Sequence, residues 1–158
     1  MLRGPIVIGA DGSERSRVAI EVAETIASND EDSVVVVFVR YLPFWEASAV
    51  ASGGHSVRIL EEVLDARQVL AEAQSIALLG AQSLNWQFDV RAGDPATELM
   101  RAATEIGGNT IVVGGRAQTT AGRLIRSSVA SRLLHRWPHN LVVAHPPGGR
   151  PRAALTSD

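Results

Sequence analysis

The sequence predicts a single α/β domain with a five-stranded parallel sheet and helices on both faces. Short β-branched apolar runs alternate along the chain with longer segments of helical periodicity. One of these runs, residues 34–39, is continuously apolar, as is typical of strands covered on both faces, and residues 110–113 are predicted to form another buried strand. The 158 residues suffice for one well-formed core and are too few for two ordinary domains. Such alternation favours right-handed crossovers, with any ligand bound beyond the carboxyl ends of the strands.

The first strand is predicted at residues 5–10, because this apolar run ends in the turn signal Asp11-Gly12-Ser13. Ser13 is the expected N-cap of the first helix. Its buried stripe is expected at Val18, Ala19, Val22, Ala23 and Ile26. The second strand is the run from Val34 to Val39.

A loop is predicted from Arg40 to about Gly54, since its residues follow neither period. We expect this loop to be mobile, and Trp45 beside Phe44 either stacks on a base, faces a partner or packs internally. A long helix is predicted from Val57 to Leu79, covering one side of the sheet. Its apolar positions are Ile59, Leu60, Val63, Leu64, Val69, Leu70 and Ala73.

The second half of the chain supplies the remaining three strands and two helices. Alternation at Leu84, Trp86, Phe88 and Val90 predicts a half-exposed edge strand. Gly93-Asp94-Pro95 leads into a helix with Pro95 at its first position. The stripe of that helix is Leu99, Met100, Ala103 and Ile106, and Gly107-Gly108 ends it. The last elements are a strand at Thr110–Val113 ending at Gly114-Gly115, a helix from Val129 to Trp137 stopped by Pro138, and a strand at Leu141–Ala144.

Composition removes several classes of function. The chain has no cysteine, which excludes disulfides and thiolate sites, and no lysine, which excludes a P-loop lysine. We expect a cytoplasmic protein without membrane contact, because no apolar run is long enough for a signal or a span. The pI near 6.1 argues against nucleic acid as a partner. Residues 147–158, rich in Pro, Gly and Arg, are expected to form a disordered tail after a domain at 1–146.

Collinear blocks of the sequence resemble the universal stress protein family. They are residues 6–13, Gly93-Asp94-Pro95, residues 111–114, Ser127-Ser128-Val129 and residues 141–143. The resemblance implies an open sheet of order 3-2-1-4-5, similar to the adenine nucleotide alpha hydrolases. It also implies a homodimer joined through the last strand, Leu141 to Ala144, and a cleft for ATP, AMP, cAMP or another adenine nucleotide.

The nucleotide-binding branch of that family carries three glycines, of which one is present here. The motif has a glycine, two residues, a second glycine, nine residues, then glycine with serine or threonine. Gly114 matches the first glycine and Ser128 the serine, while Ala117 and Ser127 replace the other two glycines. Glycine in such loops allows close approach of phosphate and positive φ, both of which a β-carbon obstructs.

The resemblance places the nucleotide among nine residues, of which Asp11, Ser127 and Ser128 have a second interpretation. Asp11 accepts from the adenine amino group, or it is a helix N-terminal acid favoured by the macrodipole. The two serines bind phosphate, cap a helix, or do both. Arg116, Arg123 and Arg126 contact phosphate or are solvated. The implied cofactor-binding residues are Ala10, Asp11, Val39, Val113, Gly114, Ala117, Ser127, Ser128 and Val129.

Three functions are compatible with these observations. The leading one is a non-catalytic stress-response protein with a weak adenine-nucleotide cleft. The alternative is a dimeric interaction module that binds no nucleotide, motivated by the two missing glycines. A nucleotide hydrolase has least support, because Asp11 lacks a second group to activate water, although slow hydrolysis stays open. His135 and His139 are separated by Pro138 and have no third ligand nearby, so no metal site is expected.

Overall fold

The computed structural model describes residues 4–27, 32–42, 47–48, 52–53, 57–115 and 129–146. Strands and helices alternate along these residues, as the sequence predicts. The strands are β1 (Ile6–Gly9), β2 (Ser33–Arg40), β3 (Asn85–Ala92), β4 (Thr110–Gly114) and β5 (Asn140–Ala144). The helices are α1 (Glu14–Ile26), α2 (Val57–Leu79), α3 (Pro95–Glu105) and α4 (Val129–Arg136).

All neighbouring strands pair in parallel, in the order β3-β2-β1-β4-β5. Ile6 of β1 is level with Val34 of β2 on one side and with Thr110 of β4 on the other. The order implied by the family resemblance is therefore confirmed. β1 lies at the centre of the sheet, so its carboxyl end is surrounded by those of its neighbours.

Two hydrophobic clusters cover the two faces of the sheet. Ile8 and Val36 point into the cluster that contains α1 and part of α2. Val7 and Val35 point into the cluster that contains α3 and α4. Because successive strand residues face opposite sides, a strand covered on both faces must be apolar throughout, which explains the continuous run in β2.

Helix α1 begins and packs as its sequence predicts. The Ser13 hydroxyl accepts a hydrogen bond from the Ser16 backbone N–H at 3.3 Å, which caps the helix. Val18, Ala19 and Ala23 are buried, and Ile20 joins them. The helix thus lies flat on the sheet, with its N-terminus at the carboxyl edge of the strands.

Helix α2 has the predicted bounds but buries a different face. Val69 and Leu70 are 66% and 51% exposed, and Ala73 is also exposed. The buried residues are Ala71, Ser75 and Leu79, one row at four-residue spacing. Three of the apolar positions named from the sequence, Val69, Leu70 and Ala73, therefore do not belong to the buried face. Small residues at 71 and 75 allow α2 to approach α1 closely, which turns the larger side chains outward.

Strand β3 is an edge strand, as its alternation predicts. Trp86 and Phe88 are partly buried against the α1 face, but Val90 is 40% exposed. Beside it, Arg91 donates from Nε to the Asp89 carboxylate at 2.8 Å and from Nη2 to Glu105 at 2.5 Å. The C-terminal end of β3 is therefore held to α3 by an ion-pair cluster, in place of apolar packing.

The predicted loop, the predicted tail and the absence of a membrane span can be compared with the structure only in part. Arg40 belongs to β2, and residues 47, 48 and 52 are helical, so the stretch after Arg40 is not wholly irregular. Pro43, Phe44 and Trp45 lie outside the described residues, as does the tail at 147–158. No helix in the described part of the chain is both long enough and apolar enough to cross a membrane.

Candidate functional site

The candidate site lies where the order of strands reverses. From β1 the chain continues through α1 to β2 on one side, and from β3 it returns through α3 to β4 on the other. The connections leaving β1 and β4 therefore diverge, because they lead to α1 and α4 on opposite faces of the sheet. In open parallel sheets this divergence creates a crevice at the carboxyl edge, which is the usual place for a ligand.

The turn after β1 forms one wall of this crevice. Ala10 is buried, and its N–H donates to the Val37 carbonyl at 3.0 Å, which extends the pairing with β2. Asp11 is exposed, and its Oδ1 accepts from the Ser13 N–H at 2.9 Å. This bond fits the interpretation of Asp11 as a local helix-start acid and involves Oδ1 alone. The two interpretations of Asp11 are therefore compatible.

Gly12 is required by this turn. Its φ is +81°, and a β-carbon there would lie 2.8 Å from the Arg67 carbonyl oxygen of α2. Both the left-handed conformation and the close approach of α2 favour glycine. The turn is thus held by the fold, whether or not a ligand is bound.

Gln74 of α2 holds the same turn from the other side. Its Nε2 donates to the carbonyl oxygens of Gly12 at 3.2 Å and Ser13 at 3.4 Å. Its Oε1 accepts from the Ser16 hydroxyl at 3.4 Å. Nothing in the local sequence marks Gln74 as a site residue, because its partners lie about sixty positions earlier. This glutamine was missed by reasoning from sequence.

Gly114 ends β4 directly beside the start of α1. Its φ is not positive, and a β-carbon on it would lie 2.5 Å from the Arg15 carbonyl oxygen. The reason for glycine at this position is therefore contact with α1, whereas the family motif suggested positive φ or approach of phosphate. Gly114 alone does not indicate a ligand.

Gly115, the residue after Gly114, is bonded to the end of β5. Its N–H donates to the Ala144 carbonyl at 2.7 Å, and a β-carbon there would meet His145 Cε1 at 2.4 Å. Residues 116–128 lie outside the described part of the chain. The candidate residues in that range are Arg116, Ala117, Arg123, Arg126, Ser127 and Ser128.

Val39 and Val113 are core residues at the carboxyl edge. Both pack on the α3 and α4 face, where Val129 at the start of α4 also lies. The structure therefore brings Ala10, Val39, Val113 and Gly114 to neighbouring strand ends. Val129 packs against the same hydrophobic cluster as Val39 and Val113, on the α3 and α4 face of the sheet.

Arg40, at the end of β2, is occupied by α2. Its Nη1 donates to Asp65 Oδ1 at 2.8 Å and to Gln68 Oε1 at 3.0 Å, and its Nη2 lies 3.3 Å from Glu61 Oε2. This cluster anchors α2 to the rim of the crevice. The Arg40 charge is thus compensated within the fold.

A model of the universal stress protein family matches residues 3–145. The chain belongs to this family. Stress response protein NhaX of Bacillus subtilis (strain 168) is 28% identical to it in an alignment of 148 residues that covers 81% of this chain and 89% of that protein. The resemblance drawn from the sequence blocks is confirmed.

Solved universal stress proteins share the fold. One in complex with cAMP is 23% identical, covers 92% of this chain and 98% of its own, and has a TM-score of 0.58. Another, from Archaeoglobus fulgidus in complex with dAMP, is 18% identical, covers 91% and 99%, and has a TM-score of 0.58. At these identities the likeness concerns the architecture.

The Gly93-Asp94-Pro95 block of this universal stress protein joins α3 to α4. Asp94 Oδ2 accepts from the Thr97 N–H at 3.0 Å and hydroxyl at 2.8 Å, and Oδ1 pairs with Arg132 of α4. Partial burial raises the pKa of Asp94, but the bonds from Thr97 and Arg132 outweigh it and leave the pKa below its ordinary value. This block therefore has a structural role beside the crevice.

Proposed function

We propose that this universal stress protein is a non-catalytic stress-response protein whose switch-point crevice binds an adenine nucleotide. The observation that carries the proposal is the arrangement at the carboxyl edge. Asp11 is exposed at the end of β1, with the ends of β2 and β4 on either side. The solved relatives in complex with cAMP and dAMP support the class of ligand.

Asp11 is the proposed adenine acceptor. Its Oδ1 is bonded to Ser13, and among the described residues no donor contacts Oδ2. That oxygen is therefore available to the adenine amino group. In this proposal the backbone near Val39 borders the adenine edge, while the segment after Gly114 supplies Ala117, Ser127 and Ser128 toward the phosphates.

The proposed binding is weak, because two glycines of the family motif are replaced. An L-residue in left-handed geometry costs about 1 to 2 kcal/mol. If both Ala117 and Ser127 adopt it, affinity falls by tens to several hundredfold. Alanine and serine are the smallest replacements, so we expect dissociation constants weaker than those of a protein with all three glycines.

The proposal includes no catalytic step. Asp11 provides one acid at the crevice, and the chain contains no lysine. Phosphoryl transfer relies on positioned cations or metal around the transferred group together with a residue that orients the nucleophile. Phosphate release above a heat-treated blank that disappears in Asp11→Ala would overturn this part of the proposal.

Calorimetric titration with ATP, AMP and cAMP tests the proposed site, after a denatured sample is examined for co-purified nucleotide. We expect saturable binding of at least one nucleotide, weakened in Asp11→Ala and in Ser128→Ala. Glu72→Ala is the matched control for Asp11→Ala, because Glu72 is an exposed acid on α2 outside the crevice. Unchanged affinity in both site variants would refute the assigned residues.

A dimeric interaction module is the second candidate function. The specific observation in its favour is that Gly12 and Gly114 are explained by contacts with Arg67 and Arg15 in the fold itself. These glycines would be needed without any nucleotide. A folded dimer that binds none of the three nucleotides would favour this function over the first.

A further inference from the structure

We propose that Arg15 binds the phosphate of the nucleotide in the switch-point crevice. The inference rests on the proposed nucleotide-binding function and adds a cation that the family motif does not contain. Arg15 is the second residue of α1, directly after the turn that carries Asp11. Three features of Arg15 support the proposal: its position, its lack of partners among the described residues and the charge around it.

Arg15 lies against the end of β4. A β-carbon on Gly114 would be 2.7 Å from Arg15 Cβ and 2.5 Å from its carbonyl oxygen. Side chains of an α-helix tilt toward its N-terminus, and the N-terminus of α1 is at the carboxyl edge of the sheet. The Arg15 side chain therefore starts over Gly114 and leads toward the crevice.

Arg15 stands apart from the other arginines of the described residues. No hydrogen bond or ion pair joins its guanidinium to another described residue, although the side chain is only partly exposed. Each of the other described arginines takes part in a specific interaction. They are Arg17, Arg40, Arg58, Arg67, Arg91, Arg101, Arg132 and Arg136.

The charge around Arg15 favours an anion. The first turn of a helix carries partial positive charge, so a cation there is destabilising. Glu14 is the acid of this turn, but it is bonded to Arg17, at 2.5 Å from Nη2 and 2.9 Å from Nε. A bound phosphate would compensate both the helix start and Arg15.

Phosphate is a group that arginine recognises well. The guanidinium presents a planar set of donors that matches two phosphate oxygens. The chain has no lysine to take this role, and its phosphate loop lacks two glycines of the family motif. Arg15 would therefore offset part of the affinity lost at Ala117 and Ser127.

Titration of adenosine and of AMP separates the phosphate contact from the rest of the site. We expect Arg15→Gln to raise the dissociation constant of AMP by about ten- to a hundredfold, the effect of losing a charge-assisted hydrogen bond. The dissociation constant of adenosine should not change. Arg15→Lys should keep part of the AMP affinity, because the charge remains.

Arg17→Gln is the matched control on the same helix. Arg17 is bonded to Glu14 and Glu21, so its loss should leave the ratio of adenosine to AMP affinity unchanged. Equal AMP affinity in Arg15→Gln and wild type would overturn the Arg15 contact alone. An equal loss for adenosine and AMP would also overturn it, since Arg15 would then act on the fold. A wild-type protein that binds neither ligand would overturn the proposed function together with this inference.

Discussion

The carbonyl oxygen of Arg15 occupies the space in which Gly114 would carry a β-carbon. The distance between that oxygen and the ideal β-carbon position is 2.5 Å, well inside van der Waals contact. The start of α1 and the end of β4 are therefore in direct backbone contact at the switch point. The crevice is built around this contact, which makes its shape a property of the fold.

Gly114→Ala should destabilise the protein by about 1 to 3 kcal/mol, because the added carbon meets backbone that can shift only with α1. Gly115→Ala is the comparison, since its added carbon meets the His145 and Val143 side chains. Side chains can rotate away, so we expect a smaller loss. Urea unfolding without nucleotide measures both. A larger loss for Gly115→Ala would contradict this account.

Gln74→Leu should lower the free energy of unfolding by about 1 to 3 kcal/mol, since the carbonyl oxygens of Gly12 and Ser13 lose a donor. We also expect weaker nucleotide binding, because the turn that carries Asp11 is less constrained. Glu72→Leu makes the same replacement at an exposed position of α2. Urea unfolding and calorimetry compare the two, and equal effects would show that Gln74 does not hold the turn.

How far the sequence predicts the fold depends on whether the information is local. Strand β2 can be predicted from its own residues, because six consecutive apolar residues from Val34 to Val39 are typical of a strand buried on both faces. For helix α2, the sequence predicts the length of the helix but not which face is buried. Apolar residues occur on several sides, and Ala71 and Ser75 are buried because they are small. Which face of α2 is buried depends on how closely α1 approaches, and this distance cannot be predicted from the local sequence.

The residues of the candidate site also differ in whether local sequence signals could identify them. Asp11 and Gly114 were found from sequence, because strand ends and turn signals are local. Gln74 and Arg15 were not, since their importance comes from contacts across the sheet with Gly12 and Gly114. The contact of Gly114 with the Arg15 backbone was not predicted either, because a family motif names a residue without naming its neighbour.

Acid should remove the stabilisation that Asp94 provides. Burial raises the pKa of this carboxyl, but bonds from Thr97 and Arg132 lower it by more, so the folded-state pKa lies below the unfolded value of about 4. The contribution is present above the unfolded pKa and is lost as the pH falls through the folded pKa. Asp94→Asn keeps a capping oxygen but loses the charge that faces Arg132. Urea unfolding should show a deficit for this variant at pH 7 that shrinks toward pH 3, whereas a constant deficit would contradict the pairing.

The free edge of β5 predicts a homodimer joined through Leu141 to Ala144. β5 pairs with β4 along its whole length, and no other described strand covers its second edge. Open edges with apolar side chains tend to be covered, and Val142 and Val143 are only partly buried. Light scattering at micromolar concentration should give twice the 16.8 kDa chain mass.

Val143→Glu should convert this dimer to monomers, because it adds a carboxylate from each protomer to the edge at which the two β5 strands would pair, where like charges are destabilising. Leu134→Glu adds the same charge at an exposed position of α4, outside β5, and should leave the mass unchanged. Circular dichroism must show both variants folded, so that a change of mass reports on the edge. A Val143→Glu dimer would place the interface elsewhere, and a wild-type monomer would refute the dimer. In that case the edge of β5 stays open to solvent, and its short length of five residues becomes its protection against aggregation.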